Sequence, residues 1–140
     1  MVDKERIEKR LLDIERYSTM LSKIVPNNYE KYIKSESITK AAVERYLQLI
    51  SDLELEVLLH VYKDIDLGIS GSEESLVSRF ENLLSKEVVG GFKKRRTLRN
   101  ILVHAYFDMH YDKEVFEQAN NRNDISDFIK EIKEIVKKHS

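Results

Sequence analysis

Apolar positions recur at helical spacing along nearly the whole chain, and that pattern predicts its elements. Ile7, Leu11, Ile14 and Leu21 line one side of a first helix, with Tyr17 one step off and Ile24 or Val25 closing it. Pro26, Asn27 and Asn28 end it, because proline lacks the N–H that a helix interior needs. A long second helix is predicted from about Ser37 to Leu67. Its stripe is Ala42, Tyr46, Leu49, Leu53, Val57 and Val61. A second row, Val43, Leu47, Ile50, Leu58 and Ile65, widens the apolar face, as expected of the central helix of a bundle.

The segment GISGSEES interrupts the period. Ser72 is placed to cap the next helix, and Glu73 and Glu74 suit the positive end of its dipole. Leu76, Val77, Phe80, Leu83 and Leu84 form its buried side. A fourth helix is predicted from near Ser85 to near Phe107. Gly90 and Gly91 inside it are costly; they permit close approach of a neighbour or mark a kink. After the break at HYDKE comes a short piece around Val115, Phe116 and Ala119. NNRND then leads into Ile125, Phe128, Ile129, Ile132 and Ile135 or Val136, with Lys137 and Lys138 at the negative end of the dipole. The expectation is an all-α, up-and-down bundle of four to five helices, four long with one extra or broken, in a single domain over residues 1–140.

Composition narrows the function classes. The chain has 140 residues, enough for one continuous core. Charged residues make up 35 % yet the formal net charge is −1, so nucleic-acid binding would need a local patch. Absence of cysteine excludes disulfides, thiolate catalysis and Cys-based zinc sites, and suits a reducing cytoplasm. The charged start, MVDKERIEKR, has no apolar signal region, and no apolar run approaches bilayer length. A cytoplasmic protein without a membrane partner is expected.

The local patch exists. Lys93, Lys94, Arg95, Arg96 and Arg99 place five cations within seven residues, and His104 and Tyr106 follow in the segment RNILVHAY. On a helical wheel Gly91, Leu98, Ile101, Leu102 and Ala105 share the expected core sector, with Arg95, Arg99 and Tyr106 on one flank. Asn100 and His104 share another. Arg99 and His104 are then roughly 140° apart, so they converge poorly within one chain. A two-fold dimer packing this helix on its mate would gather both pairs around one groove. These residue types suit phosphodiester chemistry on RNA. His104 can take or give a proton near neutrality, and a helix C-terminus favours its charged form. Arg99 can hold a phosphate bidentately and stabilise its developing charge. Asn100 can orient the imidazole or hold a ribose oxygen. Lys93 to Arg96 would grip the flanking backbone. Cleavage through the neighbouring 2′-hydroxyl needs no metal or cofactor.

Arginine, four residues, histidine, one residue, tyrosine resembles the signature of HepT-like proteins in the HEPN superfamily. Arg99, His104 and Tyr106 match it without a gap, Asn100 matches the polar residue after the arginine, and KAAVERYLQLI (Lys40 to Ile50) resembles the family's second helix. The resemblance implies a homodimeric helical bundle acting as an endoribonuclease toxin, with Arg99 and His104 catalytic and the site paired across the dimer. It implies a partner antitoxin, a minimal nucleotidyltransferase (MNT), that binds the toxin and transfers AMP to Tyr106, as in a type VII-like toxin–antitoxin pair. AMP there would set bulk and negative charge beside Arg99. The basic run is denser than the family's, and the double glycine stands where a helix former is expected.

Rival readings accompany each feature. The basic run could be a solvated helix face, and Tyr106 a half-buried aromatic with a wet hydroxyl. His60 reads as a satisfied core or interface histidine. His110 and Asp108 near His104 fit no strong ligand motif, so no metal site is assigned. Glu44 and Arg45 read first as a structural salt bridge, with an accessory role near the site as the alternative. At the level of the whole protein, the alternative to a nuclease is a non-catalytic HEPN-like subunit that partners an MNT-type nucleotidyltransferase. A purely structural helical dimer is the third reading.

Overall fold

Seven helices follow one another in the computed structural model, which describes residues 3–65, 72–104 and 111–139; no strand occurs among them. Four are long: α1 (Lys4–Ile24), α3 (Ser37–Asp64), α5 (Lys86–His104) and α7 (Asn123–His139). Three are short: α2 (Tyr29–Ile33), α4 (Glu73–Phe80) and α6 (Asp112–Asn120). The all-α expectation holds, with more pieces than expected. The helix α2 escapes the periodicity because five residues are too few to show a period; Asn28 starts it by accepting from the Lys31 N–H at 2.9 Å. Ser72 caps α4 as expected, accepting from the Ser75 N–H at 3.1 Å.

α3 is the central helix: α1 and α5 pack along it, and α7 closes against α5 and α1. Its core line is Val43, Leu47, Ile50, Glu54, Val57 and Val61. The line combines members of both predicted rows and passes through a carboxylate. Ala42, Tyr46, Leu49 and Leu53, from the expected main stripe, are not fully buried. Leu83, expected inside, lies exposed, because the chain tightens after Phe80 and turns it off the α4 face. No described helix is long and apolar enough to cross a membrane.

The double glycine divides into two unlike positions. A Cβ on Gly91 would stand 1.8 Å from Asp124 Oδ2, so α7 brings its carboxylate where a side chain would be. A Cβ on Gly90 would meet nothing within 4 Å. Opposite outcomes follow for the same substitution. Gly90→Ala is expected to stabilise by about 0.5–1 kcal/mol through helix propensity. Gly91→Ala is expected to destabilise by about 1–3 kcal/mol through overpacking. Urea unfolding of the two variants checks the sign of each.

Candidate functional site

The helix α5 carries Arg99, Asn100 and His104, and its start is firmly held. Glu131 of α7 accepts from the Ser85 N–H (2.7 Å) and hydroxyl (2.8 Å), while the Ser85 hydroxyl oxygen accepts from the Val88 N–H (3.3 Å). From there α5 runs antiparallel to α3, as the pairings Glu54 with Arg95 and Asp52 with Arg99 require.

Arg95 corrects one expectation. The wheel puts it on the phosphate-gripping flank, yet it is 2 % exposed and lies on the core line. Its Nε and Nη2 donate to the two Glu54 oxygens at 2.7 and 2.8 Å, and its Nη1 donates to Asp124 Oδ2 at 2.7 Å. Both carboxylates hold a buried cation that would otherwise be untenable. Burial opposes its charge, but Glu54 and then Asp124 outweigh burial and hold Arg95 above its ordinary pKa. In this structure Arg95 is committed to the core.

The other cations lie nearer the surface and also meet carboxylates. Arg96 donates through Nη1 to Asp52 Oδ1 at 2.8 Å and forks onto Glu73 of α4 at 3.2 Å on each arm. Burial works against its charge, but the hydrogen bonds to Glu73 and Asp52 prevail and raise its pKa. Lys93 reaches Glu81 at 3.4 Å, a pair exposed on both sides and weak for that reason. Lys94 is exposed. Arg99 places its Nε 2.8 Å from Asp52 Oδ1 and its Nη1 3.3 Å from Asn100 Oδ1. The basic run is therefore largely charge-compensated within the chain, which lowers the phosphate affinity that its sequence suggests.

Asn100 and His104 are exposed, His104 as the last residue of α5. A groove of about 610 Å³ runs between α4 and α5 beside Asn100, lined by Phe92, Lys93, Arg96, Thr97, Glu73 and Glu81. Tyr106, with Asp108 and His110, lies outside the described residues. Val103, next to His104, is a 45 % exposed apolar residue. By the antiparallel register, the half-buried Tyr46 and Leu49 of α3 occupy this same end of the helix pair.

His60 sits between α1 and α3, with Nδ1 3.3 Å from Arg6 Nη1; burial first, then Arg10 and Arg6, lower its pKa. Arg45 donates to Gln48, 3.5 Å away on its own helix, so the expected Glu44 salt bridge is replaced by that contact. Glu44 instead has a raised pKa, from burial and then from Asp112, which Lys40 contacts at 3.4 Å. Nothing in the sequence singles out Asp52. Its partners, Arg96 and Arg99, both lie on α5, and the spacing along α3 does not point to them.

The model of the family described as Ribonuclease HepT-like matches residues 12–135. No curated protein matches the sequence. Among solved structures, a tri-AMPylated HEPN toxin of Shewanella oneidensis in complex with an MNT antitoxin is similar at 24 % identity and TM-score 0.80, covering 96 % of this chain and 99 % of that one. A toxin–antitoxin complex with AMP-PNP matches at 22 % identity and TM-score 0.80, over 94 % and 99 % of the two chains. The cytosolic protein YutE of Bacillus subtilis, of unknown function, matches at 18 % identity and TM-score 0.80, over 98 % and 92 %. At these identities the likeness establishes the fold.

Proposed function

This chain belongs to the HepT-like family, matched over residues 12–135, and on that premise we propose that it is the endoribonuclease toxin of a toxin–antitoxin pair. The observation that carries the reading is the family motif, whose Arg99 and His104 stand on the last turns of α5, the arginine braced and the histidine exposed. In the proposed reaction the ribose 2′-oxygen attacks the adjacent phosphorus and the 5′-oxygen leaves. His104 moves the proton, Arg99 holds the phosphate oxygens, and Asn100 orients the imidazole or the ribose. Lys93 and Lys94 contribute to backbone contact at the surface, whereas Arg96 is held by Asp52 and Glu73.

The pairing of sites is proposed to be homodimeric. Five residues of helix separate Arg99 from His104 by about 7.5 Å along the axis and by roughly 140° around it. A second copy would bring the missing partner to each. The half-buried Ala42 and Leu49, with the exposed Val103, supply apolar surface at the same end. The proposed partner is an MNT-type nucleotidyltransferase that neutralises the toxin by transferring AMP to Tyr106.

The test is RNA cleavage by purified, partner-free protein in EDTA, beside His104→Ala. Mass spectrometry first establishes that Tyr106 is unmodified. Products ending in 2′,3′-cyclic phosphate, absent with the variant, are the expected result. Equal inertness of both proteins on diverse RNAs would replace the nuclease by the non-catalytic subunit, for which the charge compensation along α5 already speaks.

A further inference from the structure

We infer that Asp52 is a positioning residue for Arg99: it holds the guanidinium by its inner edge and so aims the outer Nη groups at a phosphate. The inference rests on the proposed nuclease reading and extends it to a residue on a different helix. Asp52 lies on the flank of α3 that faces α5, two residues before the buried Glu54. A single oxygen, Oδ1, stands 2.8 Å from Arg99 Nε and 2.8 Å from Arg96 Nη1.

Three features separate this from an ordinary surface ion pair. First, Arg99 is the better covered partner, its side chain 26 % exposed against 40 % for Asp52. The Nε atom itself is shut off from solvent and has no aligned hydrogen-bond acceptor, so the nearby carboxylate compensates it through charge. Second, Asp52 is itself braced. Arg96 of α5 donates to it and is itself forked onto Glu73 of α4, so the group that holds the carboxylate is anchored in turn on a further helix. Third, the contact uses the edge of the guanidinium that a phosphate does not need. Bidentate phosphate recognition takes two parallel N–H groups, and the Nη pair is such a set. Nη1 lies 3.3 Å from Asn100 Oδ1, a neutral partner that a phosphate oxygen can replace.

The local charge count argues for geometry over field. Asp52 and Glu73 balance Arg96 and Arg99, so the cluster has no net charge to attract RNA from a distance. What remains for Asp52 to supply is direction. A positioned arginine loses less orientational entropy when the transition state forms, so removing Asp52 should appear in turnover more than in binding.

The experiment compares wild type, Asp52→Asn and Asp52→Glu in two arms. One is steady-state cleavage of a short RNA, with the affinity for its uncleavable 2′-deoxy counterpart. The other is ¹⁵N NMR of arginine side chains, with the Arg99 signals assigned by their loss in Arg99→Lys. Asp52→Asn should lower kcat at least tenfold, leave KM within about threefold, and collapse the resolved Arg99 Nη resonances into an averaged signal. Asp52→Glu should recover part of both. A carboxylate that merely competes with RNA predicts the reverse, a lower KM with kcat kept, and would overturn the inference. So would unchanged Arg99 resonances in Asp52→Asn. If wild type cleaves no RNA, the nuclease reading fails; the NMR arm then decides by itself whether Asp52 orders Arg99.

Discussion

Glu54→Ala is expected to cost about 3–5 kcal/mol of folding stability, a large share of the roughly 5–15 kcal/mol that holds a domain folded. Glu54 has no solvent exposure and binds Arg95 through both oxygens. Truncating it leaves a guanidinium in the core with Asp124 as its remaining anion. Burial pushes the Glu54 carboxyl above its usual range while Arg95 pulls it back down. We take the pair as ionised, because the bidentate geometry is short on both arms and Asp124 adds a third bond to the arginine. Urea unfolding measures the loss, and a cost below about 1 kcal/mol would mean that water reaches the pair.

That cost does not make the network a net source of stability. Desolvating three charges offsets most of what their attraction returns. The triple variant Glu54→Leu, Arg95→Met, Asp124→Ala should therefore fold about as stably as wild type or better, by up to about 4 kcal/mol. The network's other consequence is register. It ties α3, α5 and α7 at one level, one helical turn before Arg99, and Asp124 occupies the side-chain space of Gly91 at that level.

The same network marks where sequence reading stops. The helical period exposes every long helix, and turn chemistry places the Ser72 cap, because both are local signals. The core line of α3 is partly visible. Val43, Leu47 and Ile50 group together by spacing, but the next member is Glu54, and a carboxylate does not count as apolar. Likewise Val88, Phe92 and Leu98 bracket Arg95 at core spacing, while its neighbours Lys93, Lys94 and Arg96 make it look like part of a surface run. A charge standing inside an apolar line on each of two helices is the available clue. The spacing of Arg99 and His104 is legible in the chain itself. Asp52 is not, because the contact that gives it meaning spans 47 residues of chain and one helix interface.

Arg99→Ala should lower kcat for RNA cleavage by about 10²–10³, the usual cost of losing a preorganised group that stabilises developing negative charge. Folding should change little, since the substitution removes one partly exposed ion pair. Arg99→Lys keeps the charge but not the planar fork, so it should recover only a minor part of the rate. A stronger form of the prediction uses two crippled proteins. Arg99→Ala retains His104, and His104→Ala retains Arg99. If each groove draws on both copies, refolding the two variants together yields mixed dimers that hold one arginine and one histidine at a shared site. Cleavage by the mixture should then exceed by far what either variant shows alone. A mixture that shows no such gain, with mixed dimers demonstrated by native mass spectrometry, would mean that each chain must supply both residues. Arg99 and His104 would then have to meet within one copy.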